Sequence, residues 1–211
     1  MPEKPKESFE EIARPWDADQ GRVNTALTVA KSIREQVALH EHMRVLEFGC
    51  GTGLVAMALR DRVGEIVAVD SSPEMLNQLM EKIAKQQVND IHPILLDWEE
   101  QALPAGPFDL IYTSMTLHHI ESHLHLLGIF YDRLASGGSL CIADLFTEQG
   151  DFHSDPELIP HFGFDPKLLQ EELNKMGFRN LNYRHIHTIR KERENGQVKE
   201  FPMFLLCGQK E

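Results

Sequence analysis

Glycines at 49, 51 and 53, preceded by Glu47 and interleaved with Cys50 and Thr52, are the residues of this sequence best suited to handling a ligand through the backbone. Without a Cβ the chain can bend sharply at a strand-to-helix turn and press against a molecule lying across the strand end. A GxGxG alone has two readings, a purely structural turn or a relative of the dinucleotide-binding GxGxxG that sets a pyrophosphate on a helix N-terminus. Two acids narrow the choice. Asp70 ends the next β-rich stretch about 20 residues on, where a carboxylate is placed to accept hydrogen bonds from two ribose hydroxyls. Asp97 ends the stretch after that.

A second group of reactive types is the histidines. His118 and His119 follow the fourth β-rich stretch. An imidazole there can serve as a base near neutral pH, worth about 10²–10⁴-fold where an acceptor must lose a proton, or it can simply pack under the following helix. His123 and His125 continue the run without a paired ligand motif, so no metal is expected. His153 and His161, together with Phe152, Phe162 and Phe164, are candidates for an apolar substrate wall. Trp16 either closes over a ligand or anchors the N-terminal segment. Nothing near Cys50 in sequence would lower its pKa enough to make it a nucleophile.

The elements that must position these residues alternate. Apolar residues at helical spacing predict a helix over 22–39, and Arg44 to Phe48 reads as a short buried strand running into the glycines, with helix composition from Leu54 to Leu59. The unit repeats with a strand at 65–69 and a helix capped by Ser72 with Pro73 at its first position. Further strands are predicted at 91–96, 108–113 and 139–143, with a helix over 120–134. Alternation of this kind argues for a parallel sheet. Residues 145–164 show no clean period, which predicts either a functional loop or a short helix. A helix from Asp165 and Pro166 to Gly177 precedes two β-rich stretches, 182–190 and 200–207, joined through Asn195 and Gly196, the dipeptide of a tight hairpin. The last strand is therefore expected antiparallel, with Pro202 at its start or at a bulge.

Composition limits the function classes. A formal net charge of −12 repels a phosphate backbone, and no basic patch offsets it, so no nucleic-acid partner is expected. Cys50, Cys141 and Cys207 lack CxxC spacing, which argues against a disulfide framework or zinc site and for a reducing, cytoplasmic setting. No apolar run reaches the ~20 residues of a membrane span.

The stretches VLEFGCGTG, VAVDSSPEML, LLDWEE, FDLIYTSMTLHHI and LASGGSLCIADL resemble the successive motifs of class I S-adenosylmethionine (SAM) dependent methyltransferases. Within that superfamily the chain is similar to the small-molecule group that includes the ubiquinone and menaquinone biosynthesis enzymes, and FGFDPKLLQEELNKMGF followed by a hairpin extends the likeness toward the C-terminus. The resemblance implies an α/β, Rossmann-like, doubly wound seven-stranded sheet, mostly parallel with an antiparallel last strand and helices on both faces. It implies one domain over 1–211, with 1–20 as N-terminal lid or tail, 43–145 as the SAM-binding core and 145–164 as candidate substrate loop. By the same resemblance Gly49, Cys50, Gly51, Thr52 and Gly53 cradle the methionine part of SAM, with Glu47 in its hydrogen-bond network. Asp70 holds the ribose, with Ser71 beside it and Met75 over the adenine. Asp97 accepts from the adenine amino group, the Trp98 amide meets a ring nitrogen, and Thr113 and Ser114 lie next to the methionine moiety. The expected reaction is methyl transfer to a small-molecule acceptor with S-adenosylhomocysteine as product. The alternatives are a SAM-binding regulatory or scaffold protein without turnover and, less favoured because GCGTG departs from GxGxxG, a nucleotide-dependent oxidoreductase. After the fourth strand the chain reads TSMT where similar enzymes acting on planar amino groups carry Asn/Asp-Pro-Pro-Tyr, which again lowers nucleic-acid substrates.

Overall fold

The computed structural model describes residues 13, 15–192 and 196–211. Seven strands form one sheet: β1 (Arg44–Phe48), β2 (Glu65–Asp70), β3 (Ile91–Leu95), β4 (Phe108–Ser114), β5 (Leu134–Leu145), β6 (Phe178–Glu192) and β7 (Val198–Lys210). Their order is β3-β2-β1-β4-β5-β7-β6. The first five pair in parallel, and β7 inserts antiparallel between β5 and β6. The chain order reverses at β1 and β4, the switch point outside whose strand ends α/β ligands sit.

Strand side chains alternate between faces with a period of two, and each face is covered. Val45, Ile66, Ala68, Leu110 and Tyr112 join a core with α1 (Gln20–Gln36), α2 (Leu54–Leu59) and α3 (Pro73–Gln86). Leu46, Phe48, Val67, Val69 and Ile111 face the other core, with α4 (His123–Arg133) and α5 (Pro166–Lys175). Strands buried on both sides read as continuous apolar runs, and β1 and β2 do.

Local signals in the sequence account for the helix starts. Asp19 accepts from the Gly21 and Arg22 amides, Ser72 from the Met75 amide, and Asp165 from the Lys167 amide, each satisfying donors that the first turn leaves unpaired. Pro73 and Pro166 occupy first-turn positions, where a missing N–H costs nothing.

Several expectations are adjusted. The first helix lies at Gln20–Gln36 rather than 22–39 because the Asp19 cap precedes the apolar stripe and Val37 is already extended. The expected helix over 120–134 is shorter, α4 at His123–Arg133; a separate 3-10 turn, Leu117–His119, precedes it, and Leu134 opens β5. The segment 145–164 does hold a short element, the 3-10 turn Pro156–Leu158. Pro202 sits inside β7, opposite Thr188, and not at its start. It is tolerated there because β5 has ended at Leu145, opposite Met203, so no ladder donor is needed on that side; its carbonyl accepts from the Phe146 amide. Asn195 of the expected hairpin turn lies outside the described residues, and Gly196 has φ +77°.

Candidate active site

The loop between β1 and α2 is built by three glycines in the left-handed region, Gly49 at φ +70°, Gly51 at +52° and Gly53 at +74°. A Cβ on Gly49 would stand 2.3 Å from the Thr116 side chain, and one on Gly53 would stand 2.4 Å from Leu79, so these two are held by packing as well as by φ. Gly51 differs. A Cβ there would meet nothing nearer than the Met75 sulfur at 4.0 Å, so the loop's middle glycine borders open space and leaves room for a ligand to approach the backbone.

Glu47 lies beneath this loop. It is paired in register with Tyr112 of β4, which puts both side chains on one face of the sheet. Only 2% of Glu47 is exposed, and its Oε2 has no hydrogen-bond partner among the described residues. Burial, with Asp70 adding to it, pushes its pKa from 4.5 to about 8; the Tyr112 hydroxyl and the Ala56 amide offset part of that rise. The Tyr112 hydroxyl is likewise buried and, like Glu47 Oε2, makes no hydrogen bond of ordinary geometry among the described residues. An orphaned carboxylate oxygen beside an open backbone cradle fits a ligand that brings hydrogen-bond donors and positive charge.

Asp70, at the end of β2, accepts from the Gly51 amide at 2.7 Å and from the Ser72 amide at 2.9 Å. It thus ties the loop to the start of α3. Burial raises its pKa, and those amides resist the rise. Met75 is buried in the first turn of α3, while Ser71 is exposed. Asp97 accepts from the Glu99 amide, and Trp98 packs edge-on to Phe48 with ring centroids 6.4 Å apart. Thr113 is buried with an unpartnered hydroxyl, and Ser114 is half-buried. Burial, then Glu47 and Asp70, push the Cys50 thiol well up, so it is not a nucleophile.

Three contacts extend the site beyond the residues read from sequence. Thr116 donates to the Gly49 carbonyl at 3.3 Å and so links the segment after β4 to the glycine loop. Asp17 accepts from Thr52 Oγ1 at 2.6 Å and from Lys82 Nζ at 2.6 Å, which latches the N-terminal segment across the loop onto α3. Trp16 lies under the Arg22 guanidinium, 3.8 Å from its ring centroid. For the remaining contact, that of Asp144, the only hint in the sequence was the acidic strand ending it shares with Asp70 and Asp97. Asp144 in β5 is fully buried and binds His118 Nδ1 through Oδ1 at 2.7 Å; the Leu145 amide donates to the same oxygen, and the His118 amide donates to Oδ2.

Five of the candidate histidines sort into two sets, while His125 packs against Trp98 with ring centroids 6.5 Å apart. His118, His119 and His153 converge, with His118 Nε2 and His153 Nε2 3.0 Å apart. His161 does not join them. It meets His123 Nδ1 at 3.1 Å and the Ile120 carbonyl at 3.1 Å, fastening the far end of the 145–164 segment to the turn before α4. Phe152 and Phe164 are buried, whereas Phe162 is 40% exposed.

A sequence profile described as a methyltransferase domain matches residues 23–200. The chain belongs to the methyltransferase-domain family. An uncharacterized methyltransferase of Schizosaccharomyces pombe is 29% identical over 173 residues, covering 75% of this chain and 59% of the relative. One of Mycobacterium bovis is 30% identical over 103 residues, covering 49% and 51%. The chain thus spans between half and three-fifths of the length of these curated relatives. Among solved structures, the methyltransferase of Haloferax volcanii in complex with the Trm112 methyltransferase activator superposes with TM-score 0.74 at 18% identity, over 98% of this chain and 99% of that one. A SAM dependent methyltransferase from Aquifex aeolicus gives 0.67 at 21%, over 94% and 97%. The methyltransferase sheet is therefore the class I fold. No helix among the described residues is long and apolar enough to cross a membrane.

Proposed function

We propose that this chain transfers the methyl group of S-adenosylmethionine to a small-molecule acceptor. The observation that carries the reading is the pairing of an open backbone cradle at Gly51 with the buried, partnerless Oε2 of Glu47. SAM brings an ammonium and a sulfonium, the charges that a carboxylate in that position would stabilise.

When bound, the cofactor supplies an electrophilic methyl carbon, so the protein's share is alignment and the exclusion of water. Gly49, Cys50, Gly51, Thr52 and Gly53 would hold the methionine part against their backbone, with Glu47 below and Thr113 and Ser114 beside it. Asp70 would hold the ribose, Ser71 and Met75 would flank the adenosine, and Asp97 with the Trp98 amide would hold the adenine edge. Trp16 and Asp17 would close the outer side of the loop, and 145–164 would wall the acceptor, so that 1–211 works as one unit. His118 does not act as a lone base: its ring is 1% exposed, and its two nitrogens face Asp144 and His153.

The negative charge of the chain and its lack of a basic patch favour a small acceptor over nucleic acid. The test is incubation with isotopically methyl-labelled SAM in cell extract, followed by mass spectrometry. Label in a low-mass product supports the reading; label confined to protein or nucleic acid overturns the acceptor class. SAM binding without any transfer would leave a SAM-binding regulator, and absence of binding in calorimetry would overturn the cofactor assignment.

A further inference from the structure

Next to the cofactor loop lies a second cluster that the methyl-transfer reading does not require. His118 ends up there because the 3-10 turn Leu117–His119 comes two residues after β4, and because its main chain and its ring are both held by one carboxylate. Asp144 is acceptor-only when ionised, so Nδ1 carries the hydrogen it receives, and the lone pair of His118 is left on Nε2. That lone pair points at His153 Nε2, 3.0 Å away. His119 completes the group: its ring centroid lies 4.2 Å from that of His118 and 5.0 Å from that of His153. One nitrogen from each of the three rings lies within 4.8 Å of the others.

We infer that His118, His119 and His153 form a binding site for a divalent transition-metal ion of the zinc, cobalt or nickel type. Three imidazoles at metal–nitrogen distances near 2.0–2.1 Å place their nitrogens about 3.3 Å apart in a tetrahedral site, and the 3.0 Å spacing of the best-held pair is already close to that. Imidazole is the ligand of borderline first-row ions, whereas magnesium and calcium prefer oxygen. Asp144 supplies what such sites commonly have, a carboxylate behind a ligand histidine that fixes its tautomer and orientation. It is fully buried, and its two oxygens are taken up by His118 and the Leu145 amide, so it serves the histidine and not the ion. Three nitrogen ligands leave a fourth position open, as at catalytic rather than structural zinc. His119 and His153 are only partly buried, so that position is within reach of a small molecule. Sequence spacing could not show the site, because His153 comes from the loop after β5, 35 residues beyond its partner.

The consequence for chemistry rests on the proposed function. An acceptor oxygen, nitrogen or sulfur taking the fourth position would release its proton to solvent more readily, because the ion lowers its pKa. Its lone pair would then form the bond to the methyl carbon while the carbon–sulfur pair returns to sulfur. Thr116, two residues before His118 and bonded to the Gly49 carbonyl, joins this cluster to the cofactor loop.

The test uses the full chain, stripped with a chelator and then titrated with Zn²⁺ by calorimetry and with Co²⁺ by visible absorption. Expected are one ion per chain and the d–d bands of a low-symmetry cobalt site. His119→Ala and His153→Ala should each weaken zinc binding at least about tenfold, and Asp144→Asn about 10–100-fold, by loss of the orienting carboxylate. His123→Ala, in the neighbouring histidine pair, should leave it unchanged. SAM affinity is measured on the same samples and should persist in the His119 and His153 variants, so failure of the metal site is distinguishable from failure of the cofactor assignment. No zinc binding tighter than roughly 100 μM in the unaltered chain would overturn the inference. So would equal affinity in both of those variants.

Discussion

Two buried acids near the ends of parallel strands in one sheet have opposite surroundings. Glu47, under the glycine loop, keeps an oxygen without a partner and has its pKa driven to about 8 by burial. Asp144, two strands along the sheet, is fully buried yet saturated by a histidine ring and two amides. The difference separates two kinds of function. A carboxylate left partly unsatisfied stores a demand that an incoming ligand can meet, whereas one saturated from within is a brace that positions another side chain.

The sharpest way to break that contrast is Asp144→Ala. Removing the brace leaves the His118 ring and two amides without their buried acceptor, and stability should fall by about 3–5 kcal/mol in urea unfolding. A loss under about 1 kcal/mol would mean that Asp144 is not a brace.

Glu47→Gln should do the reverse. Because the folded pKa lies above the unfolded one, the folded chain holds a proton that the unfolded chain has released; the contribution of Glu47 is intact below pH 4.5 and is lost as pH rises through about 8. The amide variant removes that loss. Ligand-free, it should be more stable than the parent by up to about 4–5 kcal/mol at pH 9, and by less than about 1 kcal/mol at pH 5. Thermal melts across that range check the sign. Its SAM affinity should fall, since the ligand's positive charge would no longer meet a carboxylate.

Asp70→Ala should weaken SAM binding by about 1–3 kcal/mol, the usual worth of charge-assisted hydrogen bonds, as read by calorimetry. Unchanged affinity would remove Asp70 from the cofactor site. The smallest expected effect is that of Thr113→Val. The buried hydroxyl has no partner, so the isosteric change should leave the ligand-free chain within about 1 kcal/mol of its parent, slightly on the stable side. A large loss would show that the hydroxyl is satisfied after all.

Much of the fold was legible because its signals are local. The cap at Ser72 with Pro73, the apolar runs of β1 and β2, and the glycines before α2 each depend on a few adjacent residues, and each element falls where those residues predict. The glycine loop was legible for the same reason: Glu47 to Gly53 is one continuous stretch, and Asp70, which binds the Gly51 amide, follows it by one α/β unit. Boundaries that depend on partners were not. Pro202 reads as a strand start or a bulge, and it sits at an interior position of β7 where β5 has already ended.

Sequence by itself therefore determined the alternation of strands and helices and the glycine cradle, which follow from short-range sterics and hydrophobic periodicity, while the chain's membership of its family was carried by the likeness of its motifs. Only the tertiary structure decided which acid is orphaned and which is saturated, that Asp17 latches Thr52 to Lys82, and that His153 rather than His161 reaches His118. Those contacts join residues far apart in the chain, and the side chains meet because parallel strands bring their carboxyl ends to one edge of the sheet. No pattern of neighbouring residues encodes that meeting.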